Sequence, residues 1–167
     1  MPRNVLAVAL FALVLPGVAQ AQLAEKKVLT LSAARQVAAA AEAVAQQNQW
    51  NVVIAIVDDG GHLLYLQRMD DVQTASVEVA QQKARSAAAF RRPTKVFADR
   101  LSEGGTALMA LPSMMPIEGG VPLVIEGRTI GAIGVSGVTA QQDGIIAQAG
   151  VDALAAVASG QQRGGRR

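Results

Sequence analysis

The stretch PIEGGVPLVIEGRTIGAIGVSGVTAQQD, residues 116–143, decides the fold. Two strand-like runs, 121–125 and 129–135, flank Glu126-Gly127-Arg128, so the segment predicts a β-hairpin whose tight turn is supplied by Gly127. Glycine then recurs at Gly131, Gly134 and Gly137. Glycine weakens a strand unless another backbone or a ligand comes close, so this strand reads as one wall of a pocket. Thr139-Ala140-Gln141-Gln142 has the form of a capping box, and Ile146, Ala149, Ala153 and Val157 recur behind it on one helical face.

Upstream lies a second hairpin. Residues 52–57 (VVIAIV) form the continuous β-branched run of a strand covered on both faces. Asp58-Asp59-Gly60-Gly61 turns the chain, and residues 62–69 (HLLYLQRM) return. Before it, Thr30 or Ser32 caps a helix in which Leu31, Ala34, Val37, Ala38, Ala41, Val44 and Ala45 recur until about Asn48. After Asp70-Asp71, residues 74–90 carry Ala75, Val79, Ala80, Ala84, Ala87 and Ala88, a helix with a small-residue face, and Pro93 separates it from a shorter third segment through Ser102. Residues 103–118 form a long loop holding Gly104-Gly105, Pro112 and Pro116 beside Leu108, Met109, Leu111, Met114 and Met115. Loops of that length are more often functional than idle. The order α, ββ, αα, loop, ββ, α predicts one α+β domain, an antiparallel sheet covered by helices, and not a doubly wound parallel sheet.

The ends read differently. Arg3, an apolar run over 5–18 and Ala19-Gln20-Ala21 predict a secretory signal peptide over residues 1–21. That places the protein in a periplasm or outside the cell, with no membrane span after cleavage. The domain is expected over 22–159, and the tail 160–167 (GQQRGGRR), with nothing apolar to bury, is expected to be disordered. With no cysteine, stability comes from packing alone and thiolate ligation is excluded. The net charge of +2 belongs to the ends. Without Arg3, Arg163, Arg166 and Arg167 the remainder is slightly acidic, and no basic face for nucleic acid is legible.

Several ordered motifs carry a resemblance. Val57-Asp58-Asp59-Gly60-Gly61-His62-Leu63, Arg68-Met69-Asp70, Lys83-Ala84, Phe90, Pro93-Thr94 and residues 116–143 together resemble the GlcG/HbpS family of haem-binding proteins, over roughly 29–155. The resemblance implies a five-stranded antiparallel sheet with helices on both faces, as in the related PduO C-terminal domain. It also implies homo-oligomers and haem binding, with a role in haem or redox sensing in the better-understood members.

The residues themselves supply sparser chemistry. H-E-x-x-H, G-x-S-x-G and the phosphate-binding loop are absent. His62 is the only histidine and the foremost candidate to ligate haem iron, although a polar residue opening a strand after a turn has the same appearance. Tyr65, Met69, Met109, Met114 and Met115 are further donors, the methionines also serving as core or loop filler. Arg68 has the chemistry to pair a haem propionate, or to bridge Asp70, Asp71 or Glu118. Glu118, Gly119, Gly120, Ser136 and Gly137 offer clearance and N–H donors to a flat or anionic ligand, or serve tight turns alone. Asp58 and Asp59 read as turn carboxylates, and Asp143 as a charge favouring the positive end of the last helix. The expectation is an exported, oligomeric haem-binding protein. Two rivals are an enzyme acting on a small carboxylic acid or on haem, with Arg68 holding the carboxylate and Asp70 or Glu118 moving protons, and a ligand-free module that binds a partner protein.

Overall fold

A computed structural model of the chain describes residues 23–164. The expected leader, residues 1–21, and the last three residues lie outside that range.

The elements follow the predicted order. They are α1 (Leu31–Gln47), β1 (Val53–Asp58), β2 (Leu63–Arg68), α2 (Ala75–Phe90), α3 (Lys95–Ser102), a 3-10 turn (Thr106–Ala110), β3 (Gly120–Ile125), β4 (Arg128–Ser136) and α4 (Ala140–Gly164). The strands form one antiparallel sheet in the order β2-β1-β4-β3, so each hairpin supplies one half and β1 pairs with β4 at the centre.

Alternation along β1 explains the continuous apolar run. Val53, Ala55 and Val57 belong to a core shared with Ala80, Ala84 and Ala87 of α2, whereas Ile54 and Ile56 belong to a core shared with Val37 and Ala41 of α1 and Ile146 of α4. Both faces of the strand are therefore covered, and an apolar residue is stabilising at every position. The alanine face of α2 lets that helix sit close to the sheet. Gly120 and Gly134 lie opposite each other on β3 and β4, and a Cβ on Gly134 would lie 2.0 Å from the Ala80 carbonyl oxygen. The glycine spacing thus serves the approach of the chain's own backbone. At Gly131 and Gly137 the carbonyl oxygens of Val57 and Asn51 fill the same space.

The sheet has four strands, not the five that the resemblance implied. Residues 23–30 approach β4, with Leu29 against Gly131, without joining the ladder. The loop 103–118 turns into the 3-10 segment instead of extending, and Pro112 and Pro116 have no N–H to give a ladder. The four strands are those that the residues themselves predicted.

Both expected helix caps are present. Thr30 Oγ1 accepts from the Ala33 amide at 3.2 Å. The Thr139 amide donates to Gln142 Oε1 at 3.1 Å and the Gln142 amide to Thr139 Oγ1 at 3.3 Å. Helix α4 continues to Gly164, into the tail expected to lack structure, because extending a nucleated helix costs far less than starting one. Among the described residues no helix is long and apolar enough to cross a membrane.

Candidate functional site

The sheet separates the candidate residues into two groups. Along β1, Val53 lies opposite Ser136 and Asp58 opposite Gly131, a span of roughly 17 Å at ordinary strand rise. Arg68, Met69, Glu118, Gly119, Gly120, Ser136 and Gly137 gather towards the first end. His62 lies at the other, in the β1–β2 turn.

At the His62 end, Asp58 organises the turn. Its Oδ1 accepts from the amides of Gly60 and His62, each at 2.9 Å, which is the turn chemistry expected of it. Its Oδ2 lies 3.2 Å from His62 Nδ1. Burial opposes ionisation of Asp58, and the hydrogen bonds from the His62 amide, the His62 ring and the Gly60 amide outweigh it, holding the carboxyl below its usual value. The His62 side chain is 83% exposed, and its ring folds over Gly60, where a Cβ would lie 2.9 Å from Nδ1. A ring whose Nδ1 faces a carboxylate is oriented as in metal-ligating histidines, in which the other ring nitrogen takes the metal.

The opposite end is closed. Lys83 of α2 passes Gly119, donating from Nζ to Asp143 Oδ2 at 2.7 Å and to the Val135 carbonyl at 2.9 Å. Asp143 Oδ1 accepts from the Val138 amide at 3.3 Å, and so serves the start of α4 as the sequence predicted. Burial raises the Asp143 carboxyl, against the pull of Lys83 and of the Val138 and Gly137 amides. Around the pair, Ser136 Oγ donates to Ser76 Oγ at 3.2 Å, and buried Thr94 accepts from the Gly120 amide at 2.9 Å. A Cβ on Gly119 would lie 2.8 Å from Lys83 Nζ, and one on Gly120 would lie 2.3 Å from the Lys83 carbonyl oxygen. Gly119, Gly120, Ser136 and Gly137 are therefore packed against the protein itself. Among the described residues every buried side-chain polar atom has a partner, and this cluster joins α2 to β4 and α4.

The other candidates make separate structural contacts and do not converge on one point. Arg68 donates from Nη2 to the Val72 carbonyl at 2.9 Å, closing the turn into α2. Met69 packs against both cores. Met114 and Met115 are half-buried, and the Met115 amide donates to Ser86 Oγ at 3.0 Å. Glu118 lies against α4, where a Cβ on Gly144 would meet its carboxylate at 2.5 Å. Lys83 escaped functional reading because a lysine in an alanine-rich helix looks like a solvated one. Its signal was position, within the stripe Ser76, Ala80, Lys83, Ala84 and Ala87.

Beside the His62 turn lies a basin of about 870 Å³ bounded by both hairpin turns and by residues 25–27. Lys26 pairs with Asp59 at 2.9 Å, Lys27 pairs with Glu126, and Arg128 Nη1 donates to the Glu25 carbonyl at 3.2 Å. Arg91 and the apolar Val124, Ile125 and Ile130 complete the wall. Among the described residues no group of three or more His, Cys, Asp and Glu side chains converges to hold a metal ion.

Residues 29–152 match the family described as haem degrading protein HbpS-like. Protein GlcG of Escherichia coli K12 is 46% identical over 111 residues, covering 66% of this chain and 83% of GlcG. A double mutant of Streptomyces reticuli HbpS superposes with a TM-score of 0.72 at 31% identity, over 83% of this chain and 95% of that one. The PduOC:heme complex superposes with a TM-score of 0.69 at 33% identity, over 76% of this chain and 95% of that one.

Proposed function

The chain belongs to the HbpS-like family, and from that premise we propose that it binds haem, with His62 Nε2 as a ligand to the iron. The observation that carries this reading is the His62–Asp58 pair: the ring is exposed, its Nδ1 is engaged by a carboxylate, and its other nitrogen is open. Neutral imidazole backed by a carboxylate is a suitable donor for haem iron, so the residues present fit the group. Bound haem supplies redox and gas-binding chemistry at its iron. The protein's part is to orient the imidazole and fix its tautomer through Asp58. The open setting of His62 suits haem sensing, storage or handling, in which the cofactor must enter and leave.

Export belongs to the same proposal and rests on Arg3, the apolar run 5–18 and Ala19-Gln20-Ala21. N-terminal sequencing of protein recovered from periplasm or medium is expected to begin at Gln22. Homo-oligomers are also part of it, supported by exposed Met109, Leu111, Ile117 and Val124. Light scattering is expected to give a mass above that of one chain.

Hemin titration followed by absorption, with an unrelated exported protein as control, tests the reading. A saturable, stoichiometric Soret change is expected. A change indistinguishable from the control would overturn it.

A further inference from the structure

We infer that the basin between the two hairpin turns anchors the carboxylates of the bound tetrapyrrole, with Arg91 and Arg128 as the paired cations. This rests on the haem reading above. It replaces Arg68, which lies the length of β2 away from His62, farther than a haem iron is from its own propionates.

Position is the first argument. Asp59 forms part of the basin wall and belongs to the turn that carries His62, whose ring lies over the neighbouring Gly60. Charge is the second. Lys26 and Lys27 are neutralised by Asp59 and Glu126, but among the described residues the Arg128 side chain is bonded only to a neutral carbonyl. The Arg91 side chain has no hydrogen bond or ion pair among the described residues. Two guanidinium groups thus border one cavity without a direct ion pair, although Glu25 also lines it, and guanidinium binds carboxylate in a two-pronged fork. Backbone is the third. Arg91 ends α2 at φ 54, a left-handed position where glycine or asparagine is the ordinary choice. Val124, Ile125 and Ile130 give the same basin an apolar wall. Its occupant is therefore an amphipathic molecule with two acidic arms.

The strap of residues 25–27 is the adjustable part. Both lysine pairs are exposed, and such pairs are held weakly, so an incoming carboxylate competes with Asp59 and Glu126 for Lys26 and Lys27.

The test is a hemin titration of the purified protein and of the variant Arg91→Asn/Arg128→Gln, repeated with hemin dimethyl ester, which has no free carboxylates. Asparagine tolerates the left-handed backbone, and circular dichroism checks that the variant is folded. The variant is expected to keep the wild-type Soret position with affinity weakened about tenfold or more. The ester is expected to bind wild type and variant alike. Rescue by Arg91→Lys is expected to be partial, because an ammonium cannot form the fork. Wild-type affinity in the double variant would overturn the basin assignment and leave the haem reading intact. Absence of a saturable Soret change in the wild type would overturn both.

Discussion

Lys83 Nζ and Asp143 Oδ2 lie 2.7 Å apart with side chains only 1% and 3% exposed, tying α2 on one face of the sheet to α4 on the other. The lysine passes the start of β3 where Gly119 and Gly120 leave no side chain in its way. Removing an ion pair from water is costly, and it persists here because Val135 and Val138 supply the remaining hydrogen bonds.

Breaking that pair on one side leaves a buried charge. Lys83→Met is expected to cost about 3–5 kcal/mol, and Lys83→Met/Asp143→Asn is expected to recover most of the loss. Urea denaturation of the single and double variants reads the difference. A double variant destabilised by the sum of the separate Lys83→Met and Asp143→Asn losses would show that the pair is not coupled.

The two perturbed carboxyls act on stability with opposite sign. Asp58 is lowered from 3.8, so its contribution is present above that value and is lost as pH falls through the folded pKa. Asp143 is raised from 3.8, so its contribution is fully present below that value and is lost as pH rises through the folded pKa. Asp58→Asn is expected to flatten the acid limb of a stability profile taken below about pH 4. An unchanged acid limb would place acid sensitivity elsewhere.

The hairpins, the capped helices and the alanine face of α2 were legible because each is a local pattern. VVIAIV needs only two covered faces, and Thr139 with Gln142 needs only one helical turn. The fifth strand came from resemblance, whereas the chain's own residues predicted four. The Lys83–Asp143 pair was not legible, because its partners are 60 residues apart and nothing local marks a lysine as buried. The haem candidates were legible as donor types, and the separation of His62 from Arg68 followed from their places at the two ends of one predicted strand.

Glycines that admit α2 are expected to be irreplaceable, and turn glycines are not. Gly134→Ala puts a methyl group within 2.0 Å of the Ala80 carbonyl oxygen and 2.5 Å of the Ala84 nitrogen, and is expected to cost about 3 kcal/mol. Gly127, at φ 74 with nothing within 4 Å, is expected to accept asparagine for less than about 1 kcal/mol. Thermal unfolding of the two variants compares them directly.

Asp58 is expected to act on haem through His62. Asp58→Asn removes the carboxylate that directs the Nδ1 proton, and a change of this kind typically costs about 10–100-fold in metal affinity. Hemin affinity unchanged by Asp58→Asn would remove the carboxylate from any part in ligation.

The bond proposed between His62 and iron is isolated by the absorption spectrum of hemin-loaded His62→Gly with and without added imidazole. The predicted result is a Soret band displaced from the wild-type position in the variant and restored by imidazole. A wild-type spectrum in the variant before any imidazole is added would contradict ligation by His62.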